Sequence, residues 1–327
     1  MAKRNMRRSM KKIEPAVYSI YHTFSIERGG FRTLYGDLSQ MASVLNRRFY
    51  RQGLNWAVSG IKVLSSNPTG MTLSKLPNTW VTSNAWEKAF RAWNKQQMEA
   101  VEDSGVESTV ARFRDFKVFA DEGHVTAGFS ANILPQDLSG NDYIVGEWEE
   151  SQIVIPNNTA DASGSLVDPS EFTLRMCGQN SFSFSKGIIE GYAASRAYPQ
   201  SPDPVGPAVQ NDTNWFKRMF DVGNDDTEVL DNVTNRNDEL PYPQVEYPGG
   251  ELQAPTMELV DLAEITSTTV GGITRLKGGN FPCGLFRLDL NNRAEATSPP
   301  SFDQYALVIE LVPGTHRGYM CEPMTEM

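Results

Sequence analysis

The chain has 327 residues, of which 39% are hydrophobic and 21% charged, a balance that supports a packed core and argues against global disorder. No apolar run approaches the roughly 20 residues of a membrane helix. The formal net charge of −10 is unevenly placed: Lys3, Arg4, Arg7, Arg8, Lys11 and Lys12 occupy the first 12 residues without an acid, leaving 24 basic against 40 acidic side chains in the remainder. A basic arm of residues 1–14 thus precedes an acidic body of residues 15–327, and such a block of like charge suits contact with nucleic acid or with acidic surfaces.

Taken in chain order, residues 17–26 alternate with period 2, Tyr18, Ile20, Phe24 and Ile26 on one face, which predicts a strand holding His22. Residues 37–50 change to helical spacing behind Asp37 and Ser39, with Gly53 as the stop, which places Arg47 and Arg51 on one helical face at i, i+4. Strands are expected over 54–64 and 71–76. Residues 83–102 form the clearest helix, with Trp86, Phe90 and Trp93 on its buried side and Asn84 with Glu87 as a capping pair. Its aromatic stripe reads as core packed against the outside of a sheet.

Beyond Gly105 the pattern is strand and loop: 111–119, 125–129, 143–155, 171–177, 181–185, 257–265, 266–270, 273–276, 283–290 and 304–312. Short helices are expected at 188–197 and 214–220. Gly271-Gly272 has the spacing of a two-residue hairpin turn between the runs on either side of it. Residues 199–207 carry four prolines and residues 221–239 carry seven acids against one base, so the region of about 186–255 reads as long loop insertions. Ten or more short strands with inserted helices and long loops, without βαβ alternation, predict an all-β antiparallel sandwich of the jelly-roll kind in a single domain.

The search for chemistry finds little. His22, His124 and His316 stand apart, and neither a P-loop, a G-x-S-x-G nor a G-x-G-x-x-G motif occurs. Asp121, Glu122 and His124 form at best a carboxylate–histidine pair within a polar turn. The acids of 221–239 lack the spacing of a calcium loop. Cys177, Cys283 and Cys321 are too few and scattered for a disulfide frame or a thiolate zinc site. No enzyme, metal or cofactor is expected. Without an apolar leader after the basic residues, export is not expected either, and the sequons at Asn157, Asn211 and Asn232 are read as unmodified. Arg47, Arg48 and Arg51, interleaved with Phe49 and Tyr50, form a second basic cluster suited to phosphates.

Several phrases resemble capsid proteins of small circular Rep-encoding single-stranded DNA viruses: NRRFYRQGLNWAV at 46–58, KGIIEGYAASRAYPQSPDPVGP at 186–207, NWFKRMFDVGNDDTEVLDNVTNRNDELPYPQVEYPGG at 214–250 and YALVIELVPGT at 305–315. The resemblance implies a jelly-roll subunit that assembles with copies of itself into a small icosahedral shell, with the arm turned toward a packaged DNA genome. It places the protein in the virion, and in the host nucleus during assembly, with a host receptor of unknown identity as a further partner. The arm departs from the pattern in being short. With about 60 copies, six charges each neutralise only some hundreds of phosphates, so inner-surface cations are expected to help. Trp215, Phe216, Pro241, Tyr242 and Pro243 are the expected subunit interface, since apolar loop patches are rarely left bare. The alternative reading is a soluble jelly-roll binding module for a carbohydrate or a receptor, with the arm as a localisation signal.

Overall fold

The computed structural model describes residues 16–105, 115–155, 170–180, 184–196, 228, 236 and 247–327. The arm cations, the five expected interface residues, the helix expected at 214–220 and most of the acidic loop lie outside these residues. The fold is predominantly β, with two antiparallel sheets packed as a sandwich and a helix-bearing insertion beside it.

Eight strands build the sandwich: β1 (Ser19–Glu27), β2 (Phe31–Asp37), β3 (Leu54–Ser65), β4 (Thr69–Lys75), β8 (Glu258–Ile265), β9 (Ile273–Phe281), β10 (Leu285–Asn292) and β11 (Phe302–Leu311). One sheet runs β1-β11-β3 with β9 on the free side of β3, and the other runs β2-β10-β4-β8. Registers align like with like: Ile20 faces Ile309, which faces Ile61, which faces Leu276, while in the second sheet Leu34 faces Leu288 and Leu288 faces Leu73. These side chains meet in one buried cluster with Phe24, Trp56, Phe286 and Tyr305. Each contributes about 1.5–3 kcal/mol of burial, which makes the sandwich the main store of stability.

Between β4 and β8 the chain leaves the sandwich. Helix α2 (Trp80–Asp103) lays Trp86 and Trp93 against Phe116 in a second buried cluster, completed by α4 (Ile188–Arg196) and a small sheet of β5 (Gln152–Ile155), β6 (Ser170–Arg175) and β7 (Ser185–Gly187). Leu285 and Cys283 from the sandwich join that cluster, fastening insertion to sheet. Two short strands, β12 (Pro313–His316) and β13 (Cys321–Pro323), end the chain, and β13 pairs with the start of β3.

The strand reading of β1, β3, β4, β8 and β11 and the helical reading of α2 and α4 match the structure within a few residues at their ends. Others change. Helix α1 (Leu38–Asn46) is capped by Asp37 alone and stops at Arg47, which takes a left-handed backbone (φ 53°), so Arg47 and Arg51 share no helical face. Helix α2 begins earlier than expected, because Thr79 rather than the Asn84 and Glu87 pair caps it, its hydroxyl accepting from Thr82 N at 3.3 Å. Residues 125–129 are not a strand: Asp121 accepts from His124 N and starts α3 (Glu122–Ala127), which Gly128 ends. The Gly271-Gly272 hairpin is absent, because β8 and β9 belong to different sheets and the glycines lie in the connection between them. Of 143–155 only β5 is strand, and of 115–119 only Phe119 makes a bridge, to Arg175. Strand β2 had no signal in the sequence, since its last four residues are all buried and mask the alternation.

Candidate nucleic-acid interface

The basic cluster after α1 owes its shape to a folded-back turn. Tyr50 N donates to Ser43 Oγ at 2.9 Å, and the Tyr50 ring is buried against Trp56 and Tyr319. With Tyr50 turned inward, Arg47 and Arg51 are exposed and Arg48 is half-buried. Arg47 makes the reversal in a backbone conformation that costs an L-residue about 1–2 kcal/mol relative to glycine.

A second turn, between β12 and β13, packs against the first. Its Arg317 is also left-handed (φ 49°) and exposed. Tyr50 Oη donates to Arg317 O at 2.9 Å, Arg317 Nη1 donates to Phe49 O at 2.6 Å, and Asn46 Nδ2 donates to Tyr319 Oη at 2.7 Å. Burial pushes the Tyr319 phenol up to about 12, so this clasp keeps its protons throughout the neutral range.

The same node holds the chain arriving from the arm. Val17 N donates to Asn46 Oδ1 at 3.1 Å and Tyr319 Oη donates to Val17 O at 2.6 Å. The described chain therefore enters the body at the node that joins the Arg47 and Arg317 turns.

Among the described residues, no carboxylate lies within 4.0 Å of Arg47, Arg51 or Arg317. Glu147, Glu149 and Glu150, which follow the Ile144 carbonyl that Arg47 touches at 3.5 Å, form no ion pair with them. Below the patch Asp115 is buried and its carboxyl is pushed up to about 6 by desolvation, with Lys117 and Arg51 pulling it back.

Arg47, Arg48 and Arg51, singled out in the sequence, lie on the chain that turns back after α1 instead of on a helix. Arg317 was missed because it sits 270 positions from Arg47. Its local signal is the tight turn marked by Pro313-Gly314 and Gly318, with a base at the tip.

The carboxylate–histidine pair lies in a hydrogen-bonded network. His124 is fully buried, with Nδ1 accepting from Ala120 N at 3.2 Å and Nε2 donating to Asn132 Oδ1 at 2.8 Å, while Asn132 Nδ2 donates on to Gln40 Oε1 at 2.9 Å. Burial lowers its pKa to about 4. Tyr35 stacks on the imidazole at 4.6 Å and donates to Asp121 Oδ1, and Arg287 holds Asp121 Oδ2 at 2.8 Å. Both imidazole nitrogens are thereby committed within the protein. No group of three metal-ligating side chains occurs among the described residues, and no helix among them is long and apolar enough to cross a membrane.

At the other end of the sandwich an open cleft of about 600 Å³ is lined by Thr23, Ser65, Thr266, Thr269, Gln304 and Tyr305. Two of its hydroxyls bond each other, Thr266 Oγ1 with Thr269 Oγ1 at 3.3 Å, and no lining side chain is charged, so it is polar and uncharged. Comparison with protein-family models, curated proteins and solved structures finds no match to this chain.

Proposed function

We propose that this chain is the subunit of a small icosahedral viral shell that assembles from copies of itself and packages single-stranded DNA, with a structural and not a catalytic role. The observation that carries the reading is the strand order. Counted along the chain, the eight sandwich strands stand 1-8-3-6 in one sheet and 2-7-4-5 in the other. This order supports a jelly-roll reading of the sandwich, an architecture used by viral capsid and lectin domains.

The charge placement separates those two uses. A shell subunit needs cations on the side facing the genome, and the basic arm joins the body beside Arg47, Arg48, Arg51 and Arg317. Trp215, Phe216, Pro241, Tyr242 and Pro243 remain the proposed contacts between copies, with the virion and the host nucleus as the places of action. The uncharged hydroxyl-lined cleft favours a second reading, a jelly-roll module that binds a neutral ligand such as a carbohydrate.

Electron microscopy and sizing of the purified full chain test the choice. The capsid reading expects closed particles in the megadalton range that protect DNA from nuclease. A monomer or small oligomer at high concentration, free of nucleic acid, would leave the binding module as the better account.

A further inference from the structure

We infer that Arg47 and Arg317 form a pre-organised clamp for the phosphodiester backbone of single-stranded nucleic acid. The inference rests on the packaging reading above and adds the residues and the geometry of the contact.

The first ground is backbone strain. Among the described residues only four other than glycine have a positive φ, and two of them, Arg47 at 53° and Arg317 at 49°, belong to this patch. Glycine adopts that conformation freely, whereas any side chain there is strained. Neither arginine is accounted for by packing, since both are exposed. Strained residues concentrate at ligand clamps, where the side chain is needed in spite of the backbone it requires.

The second ground is unused hydrogen-bonding capacity. A guanidinium carries five N–H donors in a planar fork. Arg317 uses one, on Phe49 O at 2.6 Å, and Arg47 makes a single contact at the 3.5 Å limit, on Ile144 O. Neither has a carboxylate partner among the described residues. Two forks with most of their donors facing outward match the non-bridging oxygens of a phosphodiester, which accept pairs of parallel N–H bonds.

The third ground is rigidity and placement. Tyr50 Oη to Arg317 O, Arg317 Nη1 to Phe49 O and Asn46 Nδ2 to Tyr319 Oη bind the two turns together, so the guanidinium of Arg317 is fixed two residues from Arg47. The basic arm joins the body at Val17 on the same node. The arm cations and the two arginines then act on one strand, with the Arg317 fork held in place by Phe49 O. The arm supplies further charge, and the clamp fixes where the backbone crosses the subunit. Nothing in the pair reads a base, so sequence preference should be small.

The test uses the full chain and a fluorescent oligothymidine of defined length, with affinity measured between 50 and 200 mM salt. The variant is Arg47→Gly with Arg317→Gly, because glycine keeps the left-handed turns while removing the side chains with their guanidinium groups. The expected result is a urea midpoint equal to or above that of the unmodified protein, together with a salt slope shallower by about 1.4, or about 0.7 for each lost phosphate contact. Across that salt range the unmodified protein then loses about sevenfold more affinity than the variant. Should glycine lower the midpoint, the Arg47→Gln, Arg317→Gln pair, which keeps the side-chain stems, is read for the same slope. Wild-type affinity and slope in these variants, with both reduced on deleting residues 1–12, would overturn the clamp and leave DNA packaging by the arm intact. Absence of salt-dependent binding in the unmodified protein would overturn both.

Discussion

Replacing His124 with leucine should change not only stability but its dependence on pH. Burial lowers the imidazole pKa from 6.5 to about 4 in the folded chain. Between those values the unfolded chain binds a proton that the folded chain refuses, so the stability contribution is complete above about pH 6.5 and is lost as pH falls toward 4. The shift corresponds to about 3 kcal/mol. The geometry explains the sign: a proton on Nδ1 would point at the Ala120 N–H that it now accepts from. In His124→Leu, the Ala120 N–H and Asn132 Oδ1 lose their partner, at about 1–3 kcal/mol each, and the stack on Tyr35 is lost as well. The variant should therefore be about 3–5 kcal/mol less stable at pH 7.5. By pH 4 the unmodified protein has given up about 3 kcal/mol, and the gap should close to about 0–2 kcal/mol. Urea unfolding followed by tryptophan fluorescence at several pH values measures this, and carboxylates common to both proteins cancel in the difference. A gap of constant size from pH 7.5 to 4 would refute the buried neutral histidine.

Asp115 should behave in the opposite sense: its folded pKa of about 6 lies above the ordinary 3.8, so its contribution is present below about pH 4 and is lost as pH rises through 6. Asp115→Asn should accordingly raise the unfolding free energy measured in urea at pH 7.5, by about 1–2 kcal/mol, and leave it almost unchanged at pH 4. Gly36→Ala should cost about 1–3 kcal/mol in the same assay, because the added methyl would overlap the Phe286 ring and crowd Met41, both in the sandwich core. Deleting residues 1–12 should leave particles visible by electron microscopy but lower their DNA content, with the salt slope for single-stranded DNA reduced by about 4. Unchanged DNA content would assign packaging to the body alone.

How much of this was legible beforehand depends on how far the deciding contacts reach. Strand β11 could be read directly, because Tyr305, Leu307, Ile309 and Leu311 face one core and their neighbours do not, and α2 could be read from Trp86 and Trp93. Those patterns are local: a half-buried strand or helix writes its own period into the chain. Strand β2 is silent because residues 34–37 are buried throughout, and buried residues carry no alternation. The end of α1 was placed too late because the chain turns at an arginine where glycine was the expected signal. The connection at Gly271-Gly272 reads as a hairpin locally, and only the pairing of β9 with β3 and of β8 with β4 assigns its two strands to different sheets. The basic patch divides in the same way. The sequence alone determined the arm and the Arg47, Arg48, Arg51 cluster, since neighbouring charges are visible as neighbours. Bringing Arg317 and the root of the arm to that cluster was decided by tertiary structure, because the hydrogen bonds that join them run between residues some 270 to 300 positions apart, and no local pattern records a contact that exists only once the sandwich has closed.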